Sequence, residues 1–158
     1  MQSAIKLLHP KKLVGVSLSM NLLADRTGEL WGSLMPRVHE IKNRATSDLI
    51  SMQVYDPSYF TGFDPKKGFT KWAVAEVTNF DTVPNEMNHF TLEGGMYAVF
   101  FYKGPSQDKS IFQYIFTKWL PNSEYLLDNR PHFEVLGSRY RSNDPNSEEE
   151  IWIPVREK

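Results

Sequence analysis

The sequence predicts an α+β fold: two βαββ units forming one antiparallel sheet, with two main helices on one face and a ligand groove between the units. Three observations predict it. Stretches with strand and helix periodicity follow the order strand, helix, strand, strand, and then repeat that order. Each helical stretch ends on an apolar pair before a proline, Leu34-Met35-Pro36 in the first half and Trp119-Leu120-Pro121 in the second. A tryptophan marks the last strand of each half, Trp72 and Trp152. The 158 residues are one domain's worth of chain, enough to bury a core without disulfides. Residues 1–158 are therefore read as a single domain, with repeat one at about 12–78 and repeat two at about 95–155.

Lys12–Met20 alternates as a strand, and Gly15 within it permits a close backbone approach. Asn21 can cap a helix running to about Asn43, in which Leu22, Leu23, Leu30, Leu34 and Met35 recur at helical spacing; Pro36 should end or kink it. Leu49–Tyr55 is the second strand, with Ser51, Gln53 and Tyr55 on one face. Asp56–Gly68 is a long loop carrying Tyr59, Phe60 and Phe63, and a loop with such aromatics should fold over something. Thr70–Thr78 is the third strand, with Lys71, Ala73, Ala75 and Val77 opposite Trp72, Val74 and Glu76. Asn79–Gly94 reads as irregular. Met96–Tyr102 is the fourth strand; Tyr97 and Phe101 share one face, Ala98 and Phe100 the other, and the sequence leaves open which pair meets the groove. Ser106 can cap a second helix with the stripe Ile111, Phe112, Ile115, Phe116, Trp119 and Leu120, which Pro121 ends. Pro131–Gly137 and Ile151–Val155 are the fifth and sixth strands.

Composition narrows the function. A net charge of −1 and the lack of a Lys/Arg-rich run argue against a direct nucleic-acid surface. The absence of cysteine removes disulfides, thiolate catalysis and Cys-based zinc sites, and fits a cytoplasmic location. The first ten residues lack a long apolar core and a small-residue cleavage site, and no run reaches membrane-spanning length. The aromatic share of 13% suits a dense core or an aromatic pocket.

The chemistry concentrates in Pro131–Gly137. Strand alternation puts Phe133 and Val135 on one face, suited to packing against a helix layer, and His132, Glu134 and Leu136 on the other. Registering the halves on their prolines and tryptophans sets Gln53-Val54-Tyr55 against Glu134-Val135-Leu136, so the acid stands where the first half has an amide. Trp72 and Trp152 are expected on the groove side with Gln53 and Glu134, and are otherwise core tryptophans. A carboxylate partly hidden from water is costly when charged, and a lipophilic cation would relieve it while burying its own apolar surface.

The stretches Gly-Gly-Met-Tyr-Ala-Val-Phe at 94–100, Trp-Leu-Pro-Asn-Ser-Glu-Tyr at 119–125, Arg-Pro-His-Phe-Glu-Val-Leu at 130–136 and Ile-Trp-Ile-Pro-Val at 151–155, in that order and spacing, resemble the GyrI-like family. This is the effector-binding domain family of gyrase-inhibitory proteins and of AraC-type and multidrug-responsive transcriptional regulators. The resemblance runs from about Lys12 to Val155. It implies a duplicated βαββ fold, a groove between the repeats, and a place for Glu134 in that groove. Some members resemble hydrolases of strained-ring natural products that use this acid with a tyrosine. Many relatives have tyrosine two positions after the acid, where this chain has Leu136.

The resulting expectation is a stand-alone, small-molecule-binding domain related to regulator sensing domains. Its ligand is amphipathic, cationic or aromatic, held by Glu134, Trp152, Trp72, Tyr55, Gln53, Leu136 and Phe101. A hydrolase with Glu134 as general base and Tyr55 or Tyr97 as helper is the alternative, and a protein-binding module such as a gyrase modulator is the third. No cofactor is expected. Neither is a metal, since His132 and Glu134 lack a third ligand and His9, His39 and His89 are scattered. The run Glu148-Glu149-Glu150 is expected to be a solvated acidic turn.

Overall fold

A computed structural model describes residues 2–158. Its strands are β1 (Ser3–Leu8), β2 (Lys11–Met20), β3 (Leu49–Val54), β4 (Phe69–Val77), β5 (Asn88–Leu92), β6 (Gly95–Lys103), β7 (Tyr125–Leu127), β8 (His132–Leu136) and β9 (Glu148–Glu157). They form an antiparallel sheet in the order β1-β6-β9-β8-β3-β4-β2-β5, with β7 added on β9. The order mirrors itself about the β3–β8 ladder, each half being one βαββ unit plus an outer strand. Two helices complete the α+β fold: α1 (Thr27–Leu34), continued by a 3-10 turn over Met35–Glu40, and α2 (Ser110–Tyr114), continued by a π turn over Ile115–Trp119.

The helices are shorter than their apolar spacing suggests. Asn21 Oδ1 accepts from Ala24 N (2.7 Å) in a turn ahead of α1 instead of capping it. Pro36 has no N–H to give the preceding turn of α1, and the α-helix ends at Leu34 with the chain continuing as the 3-10 segment. Ser110 N donates to Asp108 Oδ1 (3.0 Å), so the second helix starts four residues beyond Ser106.

Seven residues form one row across the sheet: Val16, Ala73, Ser51, Glu134, Ile151, Phe100 and Ser3. The helices pack on this face. Leu30 and Leu34 of α1 bury Val14, Ala73 and Ala75, while Ile111 and Ile115 cover Ala98, Phe100, Ile151 and Ile153. On the opposite face the row Trp72, Met52, Phe133, Trp152 and Val99 lies in a separate core with Leu8, Leu13 and Leu92. Among the described residues no helix joins that core, and both edge strands of the sheet contribute to it. Leu8 and Leu92, from the two edge strands, meet there, and a Cβ on Gly94 would strike the Leu8 carbonyl. Gly15 is forced in the same way, since a Cβ there would strike Ala73 O. The expectation that Phe133 and Val135 face the helices is therefore corrected: an apolar strand face is equally the signature of a sheet closing on itself.

Laying β3 over β8 and β4 over β9, with Gln53 on Glu134 and Trp72 on Trp152, carries the ladder pair Gln53–Lys71 onto Glu134–Ile151. It also carries Ser51–Glu134 onto His132–Gln53. The register read from the prolines and tryptophans thus maps one half's ladders onto the other's.

Candidate functional site

Because α1 sits over β2 and β4, and α2 over β6 and β9, the helix-side face of β3 and β8 is left as the floor of a trough between them. The floor is polar where its flanks are apolar. Ser51, Gln53 and His132 are buried polar side chains, at 6%, 7% and 5% exposure. Glu134 lies among them, half-buried, with part of its surface still open to solvent. Burial pushes its pKa up. Lys71 opposes that shift most, then Lys109, and the nearby Gln53 amide also favours the charged form. Gln53 Nε2 itself donates to Ser51 Oγ (3.5 Å). Among the described residues no ion pair within 4.0 Å includes Glu134.

One end of the trough is aromatic. Tyr55 packs on Tyr59 (4.5 Å between centroids), His132 (4.9 Å) and Phe60 (5.0 Å). Phe60 lies flat over His132 (5.3 Å, 12°) and against Phe116 of the π turn (5.4 Å, 24°). The loop that carries Phe60 hydrogen-bonds within itself, through Tyr59 N to Asp56 O (2.8 Å), Thr61 N to Ser58 O (3.1 Å) and Lys67 Nζ to Ser58 O (3.0 Å). Rings hold it over the trough. Burial lowers the His132 pKa to about 3, so its imidazole is neutral, and burial followed by the Glu134 charge raises that of the Tyr55 hydroxyl.

The other end is acidic. Glu149 belongs to β9, not to a solvated turn, and its side chain shares the Ile151 face. Burial and the Glu134 charge push its pKa up to about 7. A cavity of about 470 Å³ opens where β6, β8 and β9 converge, lined by Phe101, Val135, Arg139, Glu148, Glu149 and Glu150 among others; most of its strand residues lie on the face opposite the trough floor. Neither this cavity nor a second concavity of about 420 Å³, by Ser123, Tyr125 and Lys158, is lined by Ser51, Gln53, His132 or Glu134.

Of the residues read from the sequence, the structure brings Glu134, Gln53, Tyr55 and Leu136 together on the trough face. Trp72 and Trp152 lie on the opposite face, which corrects their expected place on the groove side; Tyr97 and Phe101, whose face the sequence left open, lie there too, so neither Phe101 as a ligand contact nor Tyr97 as a catalytic helper reaches the trough. Trp152 stacks on Phe133 (5.2 Å, 17°) and its Nε1 donates to Glu150 Oε1 (2.9 Å). Trp72 packs on Phe90 (5.3 Å), and Phe101 lies under the Lys6 ammonium (5.4 Å). The Tyr97 hydroxyl donates to Pro131 O (2.8 Å) inside the core. Missed by the sequence reading were Glu149, Phe60 as the ring over His132, and Lys71, whose charge on a strand face of alanines was the available signal. Among the described residues no three of His, Asp and Glu gather where they could hold a metal, and no helix is long and apolar enough to cross a membrane.

Comparison with known proteins places these features in a wider set. A family model described as GyrI-like small molecule binding domain matches residues 1–156. The transcriptional regulator BrlR of Pseudomonas aeruginosa is 30% identical over 148 residues, covering 90% of this chain and 51% of BrlR, so the chain spans about half the length of that curated relative. Among solved structures, SAV2435 bound to tetraphenylphosphonium superposes with a TM-score of 0.74 at 15% identity, covering 99% of this chain and 94% of that one. EcmrR in its DNA complex with RPo gives 0.71 at 16% identity, covering 99% of this chain and 58% of that one. At these identities the structural likenesses establish the fold.

Proposed function

The chain belongs to the GyrI-like small molecule binding domain family, and we propose that it binds an aromatic, cationic guest in the inter-helix trough with Glu134 as the polar anchor. The observation that carries the reading is a half-buried carboxylate at the sheet centre with no ion-pair partner within 4.0 Å among the described residues. Burial disfavours its charged form, so a guest that brings positive charge recovers that cost. Rings of the guest lie against Tyr55, Phe60 and Phe116, where apolar burial contributes about 25 cal/mol per Å² and cation–π attraction about 0.5–2 kcal/mol. Tetraphenylphosphonium on SAV2435 makes a lipophilic cation the natural first probe. In BrlR and EcmrR the matching region is part of a longer regulator, and the role we infer here is likewise that of a sensing domain.

Fluorescence titration with a panel of lipophilic cations tests the reading. Saturable binding that weakens at least tenfold in Glu134→Gln is expected; equal affinity in both proteins overturns it. The second reading, hydrolysis of strained-ring compounds with Glu134 as general base, is favoured by the Tyr55 hydroxyl at the same trough. Ring-opened product that disappears in Glu134→Gln separates it from simple binding.

A further inference from the structure

The trough holds a cation of its own. Lys71 of β4 pairs with Gln53 of β3, and Gln53 pairs with His132 of β8, so the lysine stands on the floor's face, one row from Glu134. Its ammonium donates to Thr27 Oγ1 (3.1 Å) at the start of α1, and Thr27 Oγ1 in turn donates to Asp25 Oδ1 (2.6 Å). An ammonium has three donors. One goes to Thr27, and among the described residues no carboxylate lies within 4.0 Å of Lys71. Lys71 and Glu134 thus face one recess as a separated pair, close enough for each to act on the other's ionisation and too far apart to close a salt bridge. Lys109, on the residue before α2, adds a second positive charge at the rim, while Glu149 and Asp25 add negative ones. The set is mixed rather than uniformly acidic, which is the pattern for a guest carrying both signs.

We propose that the preferred guest is amphoteric: an aromatic body bearing a cationic group for Glu134 and a carboxylate or comparable anionic acceptor for Lys71. A guest with a cation alone satisfies the acid and leaves the ammonium with Thr27 as its one acceptor among the described residues; a guest with both bridges the gap. Lys71 is then the residue that sets specificity. This rests on the trough being the binding site, as proposed above.

The test compares rhodamine B, a zwitterion at pH 7.5, with its ethyl ester, a cation on the same aromatic body, by fluorescence polarisation. Wild type is expected to bind the acid at least tenfold more tightly than the ester. Lys71→Met is expected to remove that ratio by weakening the acid alone, and Glu134→Gln to weaken both dyes. An ester bound as tightly as the acid by wild type overturns the amphoteric assignment and leaves the cation-binding reading standing. Binding of neither dye overturns both. The acid-to-ester ratio in wild type needs no variant, so a folding defect in Lys71→Met does not blunt the test.

Discussion

Glu149 lies two residues along β9 from Ile151, the ladder partner of Glu134, and the negative charge of Glu134 resists its ionisation. Folded Glu149 titrates at about 7, against an ordinary value of 4.5. By pH 6.5 the unfolded chain has already lost this proton. Stability therefore falls as pH rises from about 4.5, while only the folded state keeps the proton, and the last of that fall lies between pH 6.5 and 8, where folded Glu149 releases it too. Glu134, also raised by burial, acts in the same direction. Urea melts at pH 6.5, 7.2 and 8 should show the decline, and Glu149→Gln should flatten it. Over the same window the affinity for a lipophilic cation should rise, because the ionised carboxylates are the forms that attract it.

His132 predicts the opposite slope in acid. Its folded pKa is held near 3 against an ordinary 6.5. Below pH 6.5 the unfolded chain takes up a proton that the folded one refuses. The imidazole's contribution is therefore present above 6.5 and is lost as pH falls, by up to about 1.4 kcal/mol per pH unit. Imidazole nitrogen shifts followed by NMR should stay neutral down to pH 5. A protonated ring at pH 6 would show that the Phe60 and Phe116 rings do not exclude water from it.

Glu134→Gln should gain stability while losing function. Removing a charge held in a half-buried site typically returns about 0.5–2 kcal/mol, the trade expected where a binding group is kept at the expense of the fold. Denaturant midpoints and cation titrations on the same preparation check both halves. A destabilised Glu134→Gln would show that Lys71 already compensates the acid in the free protein.

Two tyrosines should part company. Tyr97→Phe deletes the donor to Pro131 O and should cost about 1 kcal/mol in stability with no change in ligand affinity. Tyr55→Phe removes a hydroxyl beside Glu134 and should change affinity, and turnover if any exists, more than stability. Paired melts and titrations of the two variants decide it; an affinity loss confined to Tyr97→Phe would move the site to the other face.

Much of this architecture could be read from the chain. The strand–helix–strand–strand order, the two prolines and the acid set against Gln53 all sit where the periodicity placed them. Three strands escaped because little of each is buried: Ser3–Leu8 seals only Leu8, Asn88–Leu92 only Leu92, and Tyr125–Leu127 is too short for alternation to register. Which face met the helices was not legible. Alternation tells which residues of a strand travel together, and Phe133 with Val135 satisfies a helix layer and a rolled sheet alike. Glu149 was missed because three consecutive acids resemble a turn until the strand is seen to begin at Glu148.

The correspondence between the halves has a consequence for how a guest arrives. Gln53 and Glu134 occupy matching posts, as do Ser51 and His132, while Lys71 is answered by Ile151. Near-equivalent scaffolding would let a molecule enter either way round, but an amide with an ammonium on one flank and an acid with an aliphatic on the other permit only one orientation. Duplication supplied the cradle, and the mismatched posts give it a front and a back. Guests with their two polar ends exchanged should consequently be told apart, even though the sheet beneath them is close to self-repeating.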